Sequence, residues 1–543
     1  MAWYFTFIDL ITYVFIAIMA RHLWLRARYF LHMFQLSGYK FGDYSRWLKN
    51  NWHKRVITTE HVLFLVILFT LIAFLSDSLT NSASAIIVGI YGVFWFGPTD
   101  FYSEGGEKKP LVFTARMIRL MIPFGIIAVF IPLLGTQVAF QRTHLNADVQ
   151  LLGFSWLLGD MLVPFFIYVG GGLTWPVEKM VHRYYKRQAR KKLQKRPDLT
   201  VVAITGSYGK TSTKFMIRDL LQERYNVCAT PSSYNTPMGI CKVINNRLER
   251  QHQVLVLEMG ARYPGNIKEL CKIAPPDVAV VTNVGIAHLE TFGSVGEIAR
   301  TKSEIVQYLK PGGRAVLNGD DERVQAMSEL RDDVTFTFTG LKQADVWAND
   351  IRYDENGTRF TLHQGENEIE ITMALLGKHN VMNMLQAVGV ARLFDMRLET
   401  IRIAARKVKP VEHRLELKKE GELFVIDDAF NSNPVGARNA VETLSQFDTG
   451  RKIIVTPGMI ELGEREEQEN KEFGKYMGEV GLDLYILVGK ERTRPIADGL
   501  RESGAEPDSI HLCSSLHEAN KIVRAQAKAG DVILYENDLP DTY

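Results

Sequence analysis

A glycine-bearing turn between an apolar run and a helical stretch constrains this chain more than any other feature. The run covers residues 201–204, the turn covers 205–212 with the sequence TGSYGKTS, and apolar residues recur at helical spacing in 213–223. A strand, a glycine turn and a helix in this order direct backbone N–H groups and the positive end of a helix dipole at one point. The turn predicts a phosphate-binding loop, although Ile204 stands where G-x-x-x-x-G-K-[ST] has its first glycine. An ordinary strand–helix turn is the alternative.

The side chains of this turn suggest how a nucleotide would bind. In such a loop Lys210 reaches the β- and γ-phosphates, and the Thr211 hydroxyl ligates Mg²⁺. The predicted nucleotide-binding residues of the loop are therefore Gly206, Gly209, Lys210, Thr211 and Ser212.

Strand-like runs recur after the turn and predict a mostly parallel sheet covered by helices on both faces. They cover residues 201–204, 254–257, 278–282 and 315–318. Glu258 follows the second run and His288 lies shortly after the third. Ligands of such sheets bind at the carboxyl ends of the strands, where a carboxylate and an imidazole can position Mg²⁺. Taken singly, either residue is more often a cap or a satisfied polar group.

A second, smaller α/β pattern follows. Residues 344–375 alternate like strands, and a helix is predicted from Gly377 to about Leu393. Strand-like runs then recur at 424–426, 453–456, 484–488, 510–513 and 532–535, separated by helical stretches. This pattern predicts a C-terminal Rossmann-like domain.

The first third of the chain has the pattern of a membrane domain. Five apolar stretches cover residues 3–20, 58–76, 84–97, 117–137 and 151–173, and several approach the length of a bilayer-spanning helix. Lys and Arg number eight in 21–55, four in 98–119 and nine in 174–196, against none in 77–83 and one in 138–150. The positive-inside rule then predicts five spans, an outside N-terminus and a cytoplasmic chain after Thr174. Buried helices of a soluble domain do not explain this alternation.

Two features of this region leave alternatives open. Segment 21–55 mixes basic and aromatic residues, which suits either a stretch among anionic headgroups or a plain linker. Asp160 lies within the fifth stretch. An intramembrane carboxylate is a functional candidate by default, but a Ser or backbone partner would satisfy it structurally equally well.

Composition and spacing set the domain organisation. A length of 543 residues exceeds one ordinary domain, and the formal charge of +3 argues against nucleic acid as a partner. The four cysteines form no C-x-x-C pair, which fits a reducing compartment. We predict a transmembrane domain at 1–175, a basic juxtamembrane linker at 176–198, a domain with the phosphate-binding loop at 199–409 and a Rossmann-like domain at 410–543.

Taken together, the motifs of residues 199–535 resemble those of the Mur ligases, in the order of that family. They are ITGSYGKTS at 204–212, EMG at 258–260, TNVGIAHLE at 282–290, ARTKSE at 299–304, LNGDD at 317–321, GKHN at 377–380, HR at 413–414 and DDAFNSNP at 427–434.

The resemblance implies a role for each matching position. Lys210 and Thr211 would hold the ATP phosphates and Mg²⁺, and Glu258 and His288 would hold metal. Lys302 matches the lysine that the family carbamylates to bridge a second Mg²⁺. Asn380 would lie near the adenine, and Arg414 and Asp428 would reach the nucleotide from the C-terminal domain. The catalytic residues so implied are Lys210, His288 and Lys302.

Three departures from the family limit what carries over. Tyr208 replaces the usual Asn of the loop, and Ala429 and Phe430 replace the usual Ser-Tyr. The C-terminal segment 535–543 lacks the expected Lys-Gly-Ser-Arg-like ending. The family's N-terminal UDP-sugar-binding domain is replaced by the apolar region. The reaction type therefore carries over better than the substrate.

The expected protein is a multi-pass protein of the bacterial cytoplasmic membrane with cytoplasmic catalytic domains. It would be an ATP-dependent ligase that joins an amino acid or dipeptide to a lipid-linked or UDP-linked envelope precursor through an acyl phosphate. One alternative is the same chemistry on an amino-acid polymer such as poly-γ-glutamate. The other is a transporter or scaffold that uses nucleotide binding only as a switch.

Overall fold

A computed structural model describes the chain as two compact units, Met1–His182 and Arg183–Asp541. It describes all residues except 1, 58–60, 63–110, 142–144, 232–233, 287–288, 355, 410–414, 430–433, 448, 461, 463–464 and 538–543. The side chains of residues 2–16, 19, 54, 129, 131–141, 145–157 and 290 also lie outside the description.

The described part of the first unit is helical. Its elements are α1 (Ala2–Leu36), α2 (Phe41–Asn50), a π-helical turn (Trp52–Val56), α3 (Ala115–Gln141) and α4 (Leu145–Gln194), whose last turns belong to the second unit.

The predicted apolar stretches 3–20, 117–137 and 151–173 lie within helices α1, α3 and α4. Stretches 58–76 and 84–97 fall almost wholly outside the described residues. Within the described part, one helical segment, Leu158–Gln194, is long and apolar enough to cross a membrane. The five-span topology therefore stays a prediction.

The basic and aromatic segment 21–55 is neither a plain linker nor a stretch that lies wholly at a surface. Helix α1 runs through its first part and α2 through its second. Phe30, Phe34 and Tyr44 are buried in the core of the unit, whereas Trp24 is exposed. Phe30, Phe34 and Tyr44 therefore pack the helices of the unit together, and contact of the segment with headgroups stays a prediction.

Asp160 has structural partners in this unit. Its side chain is 1% exposed, and its carboxylate lies 3.4 Å from Arg26 Nε and 2.8 Å from His61 Nε2. Arg26 is also buried and donates to the carbonyl oxygens of Asp160, at 3.0 Å, and Val56, at 2.7 Å. The structure favours a structural role for Asp160, but its side-chain partners are Arg26 and His61 and not the Ser or backbone group expected.

The second unit begins with a nine-stranded sheet in the order β2-β3-β1-β4-β5-β6-β7-β8-β9. Its strands are β1 (Thr200–Thr205), β2 (Val227–Ala229), β3 (Val254–Glu258), β4 (Val278–Val281), β5 (Arg314–Asn318), β6 (Thr335–Gly340), β7 (Val346–Asp354), β8 (Gly357–Gln364) and β9 (Asn367–Met373). Its helices are α5 (Lys210–Leu221), α6 (Pro237–Asn246), α7 (Asn266–Ile273), α8 (Leu289–Phe292), α9 (Val295–Gln307), α10 (Glu322–Gln325), α11 (Lys378–Leu393) and α12 (Leu398–Ala405), with a 3-10 turn at Ala326–Leu330.

Continuous apolar strands place this sheet between two layers of helices, as predicted. Along β1, Val201 and Ala203 belong to one core cluster, and Val202 and Ile204 belong to the other. The seven strands β1 to β7 are parallel to one another, and β8 and β9 continue the sheet from β7 in antiparallel pairs. The carboxyl ends of β1, β3 and β4 therefore meet at one edge of the sheet.

A second, six-stranded sheet in the order β10-β11-β15-β12-β13-β14 confirms the C-terminal α/β pattern. Its strands are β10 (Glu416–Glu420), β11 (Leu423–Asp428), β12 (Lys452–Thr456), β13 (Leu484–Val488), β14 (Ile510–Cys513) and β15 (Val532–Glu536). Its helices are α13 (Pro434–Ser445), α14 (Glu466–Val480), α15 (Arg494–Glu502) and α16 (Leu516–Gln526), with a 3-10 turn at Pro507–Ser509. The edge strand β10, which the sequence analysis missed, pairs antiparallel with β11.

Candidate active site

The turn after β1 closes tightly around its two glycines. Gly209 has a φ of 78° and caps the start of α5. A Cβ on Gly209 would lie 2.5 Å from Asn383 Oδ1, and a Cβ on Gly206 would overlap the Thr282 hydroxyl. Both predicted loop glycines are therefore required by close contacts with neighbouring elements.

The loop after β4 holds the phosphate-loop backbone in place. The Ser207 amide donates to the carbonyl oxygen of Asn283 at 3.0 Å, and the Tyr208 amide donates to the side-chain oxygen Oδ1 of Asn283 at 2.9 Å. The Thr282 hydroxyl donates to the Tyr208 carbonyl oxygen at 2.6 Å. These bonds use the early amides of the turn, so the first amides of α5, which have no intrahelical acceptor, are the donors suited to an anion.

Lys210 and Ser212 lie in the first turn of α5. The Lys210 ammonium donates to the carbonyl oxygens of Gly206 and Ser207, at 2.7 and 2.9 Å, so its charge lies on the loop itself. The Ser212 side chain is buried.

Glu258 ends β3 next to this helix and is 1% exposed. Its Oε2 accepts from Thr211 Oγ1 at 3.0 Å and from Lys214 Nζ at 3.1 Å. Its Oε1 accepts from Asn235 Nδ2 at 3.0 Å. The predicted metal ligands Thr211 and Glu258 are thus in direct contact.

These two residues fit Mg²⁺ by their chemistry. A hydroxyl and a carboxylate are hard oxygen donors, and Mg²⁺ in nucleotide sites is held by one or two protein groups together with waters and phosphates. His288, the third predicted ligand, lies outside the described residues. Within the described part of the chain, no group of three His, Cys, Asp or Glu side chains has metal-binding geometry.

Lys302 lies in α9 and is 4% exposed. Burial, together with the positive charge of Lys210, lowers the pKa of Lys302 from 10.5 to about 7. A large part of this lysine is therefore the neutral amine near neutral pH, which is the form that reacts with CO₂.

The three other predicted nucleotide-binding residues, Asn380, Asp428 and Arg414, lie outside the phosphate loop. Asn380 lies in α11, donates to the Leu376 carbonyl oxygen at 2.8 Å and accepts from Asn383 Nδ2 at 3.3 Å. Asp428 ends β11 in the second sheet, where its carboxylate accepts from the Leu415 amide at 3.1 Å. Arg414 lies outside the described residues.

Several residues of this site were not predicted from the sequence. Lys214 had a signal, because it shares a face of α5 with Ile217 and Leu221 and so points at the core. Asn235 comes from a loop and had no such signal, and Asn283 was noted only as part of the motif at 282–290.

Comparison with known proteins identifies the family. The Mur ligase middle domain matches residues 204–391, and the Mur ligase glutamate ligase domain matches residues 413–535. A UDP-N-acetylmuramoyl-tripeptide–D-alanyl-D-alanine ligase of Mycobacterium tuberculosis is 34% identical over 357 residues, which cover 62% of this chain and 70% of that protein. The chain belongs to the Mur ligase family. The predicted resemblance and the class of ATP-dependent C–N ligase are thereby confirmed.

Further relatives agree with this assignment. The ligase of the same name from Bacillus subtilis is 32% identical over 338 residues, covering 62% of this chain and 72% of that protein. Among solved structures, MurF from Acinetobacter baumannii has a TM-score of 0.59 at 26% identity, with 66% of this chain and 77% of that chain covered. MurF from Thermotoga maritima in complex with ADP has a TM-score of 0.58 at 30% identity, with 66% and 80% covered. The nucleotide in that relative's structure supports ATP as the nucleotide of this chain.

Proposed function

We propose that this Mur ligase is anchored in the cytoplasmic membrane and joins an amino acid or dipeptide to the carboxyl group of an envelope precursor at the cytoplasmic face. The observation that carries the ligase part is the cluster of Lys210, Thr211, Glu258 and Lys302 at one edge of the first sheet. The family's reaction needs a phosphate loop, oxygen ligands for a cation and a reactive lysine, and this cluster supplies all three residue types.

The reaction balances in two steps. A carboxylate oxygen of the acid attacks the γ-phosphorus of ATP, the bond to the β-phosphate oxygen breaks, and ADP leaves with that electron pair. The amine then attacks the carbonyl carbon of the acyl phosphate, loses a proton, and phosphate leaves. Because the protein does little covalent chemistry in phosphoryl transfer, positioning and charge neutralisation carry most of the catalysis.

The residues at the sheet edge divide these tasks. Gly206 and Gly209 let the backbone approach the phosphates, and the first amides of α5 bind them. Lys210 moves from the loop carbonyls to the phosphate oxygens. Thr211 and Glu258 would hold Mg²⁺, which, when bound, neutralises charge on the transferring phosphoryl group.

Lys302 has a second proposed role as a carbamate. Its neutral Nζ attacks CO₂, a C–N bond forms, and a proton leaves to solvent, so that a neutral amine becomes an anion. The low pKa of this buried amine supports the reaction, and the resemblance to the family supports a bridging role between two Mg²⁺ ions. His288 is the further ligand that the resemblance proposes.

Exposed apolar side chains support insertion of the first unit in a membrane. In α3, Met117, Leu120, Phe124 and Ala128 are buried. On another face, Ile118, Ile122, Ile126 and Phe130 follow one another at four-residue spacing and are 52% to 65% exposed. A water-soluble surface rarely carries so continuous an apolar stripe, whereas lipid tails solvate it without cost.

The proposed acceptor follows from this anchoring. The relatives above are named for a UDP-linked tripeptide substrate and for D-alanyl-D-alanine. The family models match this chain from residue 204 onward, and the described residues of the first unit are helical. A lipid-linked precursor brings its own membrane anchor, so it suits a ligase whose N-terminal unit lies in the bilayer.

The decisive experiment measures ADP release by the full-length protein in mixed micelles. Lipid-linked and UDP-linked muramoyl peptides and poly-γ-glutamate are offered as acids, each with and without D-alanyl-D-alanine or single amino acids. We expect ADP release and amide product only when an acid and an amine are both present, with the lipid-linked acid preferred. ADP release without either substrate would support a transporter or scaffold that uses nucleotide binding as a switch. Activity on poly-γ-glutamate alone would support a ligase of amino-acid polymers.

Topology has a separate test. In intact cells, a cysteine placed at Asn81 or Asn146 should react with an impermeant maleimide, and one at Asn51 should not. Labelling at Asn51 from outside would overturn the five-span arrangement.

A further inference from the structure

Lys214 is a buried lysine that the mechanism above does not use. It lies on α5 four residues after Lys210, its side chain is 0% exposed, and its Nζ is 3.1 Å from Glu258 Oε2. A buried ammonium is costly unless it is paired and hydrogen-bonded. The chain therefore keeps a second lysine beside the phosphate loop, aimed at a proposed metal ligand.

The Glu258 carboxylate is largely occupied by protein donors. Its Oε2 accepts from both Thr211 and Lys214, and its Oε1 accepts from Asn235. An ionised carboxylate offers about four acceptor positions, so these three donors take most of them. The side chain is thus held in one orientation, and a divalent cation must share the Oε2 edge with an ammonium group.

Two electrostatic consequences follow for a divalent cation at Thr211 and Glu258. The Lys214 charge neutralises the buried carboxylate, so the site is stable without a metal ion. The same charge repels a cation that approaches Oε2, and this repulsion is strong because the pair is shielded from water. The fixed orientation of the Glu258 carboxylate raises the affinity for a metal ion, whereas the repulsion by the Lys214 charge lowers it.

We propose that Lys214 is a positioning residue that fixes Glu258 and weakens the affinity of the phosphate loop for divalent cations, so that the metal binds with the nucleotide rather than before it. This inference rests on the proposed role of Glu258 as a Mg²⁺ ligand. The phosphates of ATP would supply the negative charge that overcomes the repulsion. A lysine that served only to fill the core would have no such effect on metal binding.

The test measures Mn²⁺ binding to the full-length protein by electron paramagnetic resonance, without nucleotide and then with a non-hydrolysable ATP analogue. In Lys214→Met the repulsion is lost, so we expect Mn²⁺ alone to bind on the order of tenfold more tightly or better. With the ATP analogue bound, the increase in Mn²⁺ affinity caused by Lys214→Met should be smaller than without it. Lys214→Arg keeps the charge and should bind Mn²⁺ like the wild type.

Thermal unfolding supplies the second readout. Lys214→Met leaves the Glu258 charge uncompensated, so the Tm of this variant without metal should be lower than that of the wild type. Added Mn²⁺ should raise the Tm of the variant by more than it raises the Tm of the wild type. Lys310→Met is the matched control, because Lys310 lies 2.8 Å from Asp277 at the opposite end of the same sheet. Its Tm change should not depend on Mn²⁺. If Lys214→Met does not fold, Lys214→Gln, which keeps a neutral donor, is used with the same expectations.

The outcomes separate the inference from the proposed function. Glu258→Gln should weaken Mn²⁺ binding; if it has no effect, the proposed metal site is wrong and the inference fails with it. If Glu258→Gln weakens binding but neutralising Lys214 leaves Mn²⁺ affinity unchanged or lowers it, the metal site stands and the inference alone is overturned.

Discussion

Each unit of this molecule contains a buried carboxylate paired with a buried cation, and the two pairs have different surroundings. Glu258 lies 3.1 Å from Lys214 at the edge of the nine-stranded sheet. Asp160 lies 3.4 Å from Arg26 inside the helical unit. The charges and burial are similar, so these properties alone do not distinguish a reactive site from a structural one.

The further partners make the distinction. Glu258 also binds the Thr211 hydroxyl, in the first turn of the helix that follows the phosphate loop. Arg26, in contrast, also donates to the main-chain carbonyls of Arg55 and Val56, and thereby ties α1 to the π-helical turn. Both carboxylates have a further side-chain partner, which for Asp160 is His61 at 2.8 Å. The pairs differ in what those partners belong to: Thr211 begins the helix that follows the phosphate loop, whereas Arg26 fixes the main chain of the π-helical turn.

The largest expected effect tests the reactive half of this comparison. Lys210→Met removes the charge that neutralises the transferring phosphoryl group, so kcat should fall on the order of 1,000-fold while Tm changes little. Amide product per minute and thermal unfolding are measured on the same preparation. Asp160→Asn, assayed as folded protein, should keep most of its specific activity. A comparable loss of kcat in Asp160→Asn would place chemistry in the helical unit and end the distinction.

The second prediction tests the structural half. Asp160→Ala leaves Arg26 buried without its carboxylate, and the free energy of unfolding in micelles should fall by about 3–5 kcal/mol. Asp43 is the matched control, because its partner Arg46 is 70% exposed and 3.9 Å away. Asp43→Ala should cost less than about 1 kcal/mol. Equal losses in the two variants would mean that the Asp160–Arg26 pair does not hold the unit together.

The sequence predicted those parts of the molecule whose signal is local. The apolar runs of β1, β3, β4 and β5 are buried on both faces, so each is readable from a few consecutive residues. The phosphate loop was readable because its glycines, Lys210 and Thr211 are adjacent. Strand β10 was missed because its charged sequence, ELKKE, suits an edge strand and lacks an apolar signal.

Contacts between distant segments could not be predicted in this way. Arg26 and Asp160 are 134 positions apart, and no local pattern pairs them. Lys214 and Glu258 meet because β1 and β3 are neighbours in the sheet, which is a property of strand order. The aromatic residues of segment 21–55 show the same limit, since composition cannot tell the buried Phe30 from the exposed Trp24.

The third prediction sharpens the contrast by separating a carbamate from a plain buried lysine. Lys302→Ala should lower kcat on the order of 100-fold, because a stabilising anion is lost from the site. A short-chain carboxylic acid at high concentration should restore part of the activity by filling the gap. Lys302→Arg should not be rescued, since its permanent charge still occupies the position. Wild-type activity in Lys302→Ala without added acid would remove this residue from the mechanism.

The smallest expected effect is a pH dependence that only the sheet-edge site should show. The pKa of Lys302 is about 7 in the folded chain against 10.5 ordinarily, so the unfolded chain binds this proton more tightly and the contribution of Lys302 to stability rises from pH 7 to pH 10.5. Carbamate formation needs the neutral amine, whose fraction rises about tenfold from pH 6 to pH 8. Added bicarbonate should therefore stimulate wild-type turnover most below pH 7 and less above it. Lys302→Ala, rescued by a carboxylic acid, should show no bicarbonate effect at either pH, and a bicarbonate response in that variant would assign the effect to another group.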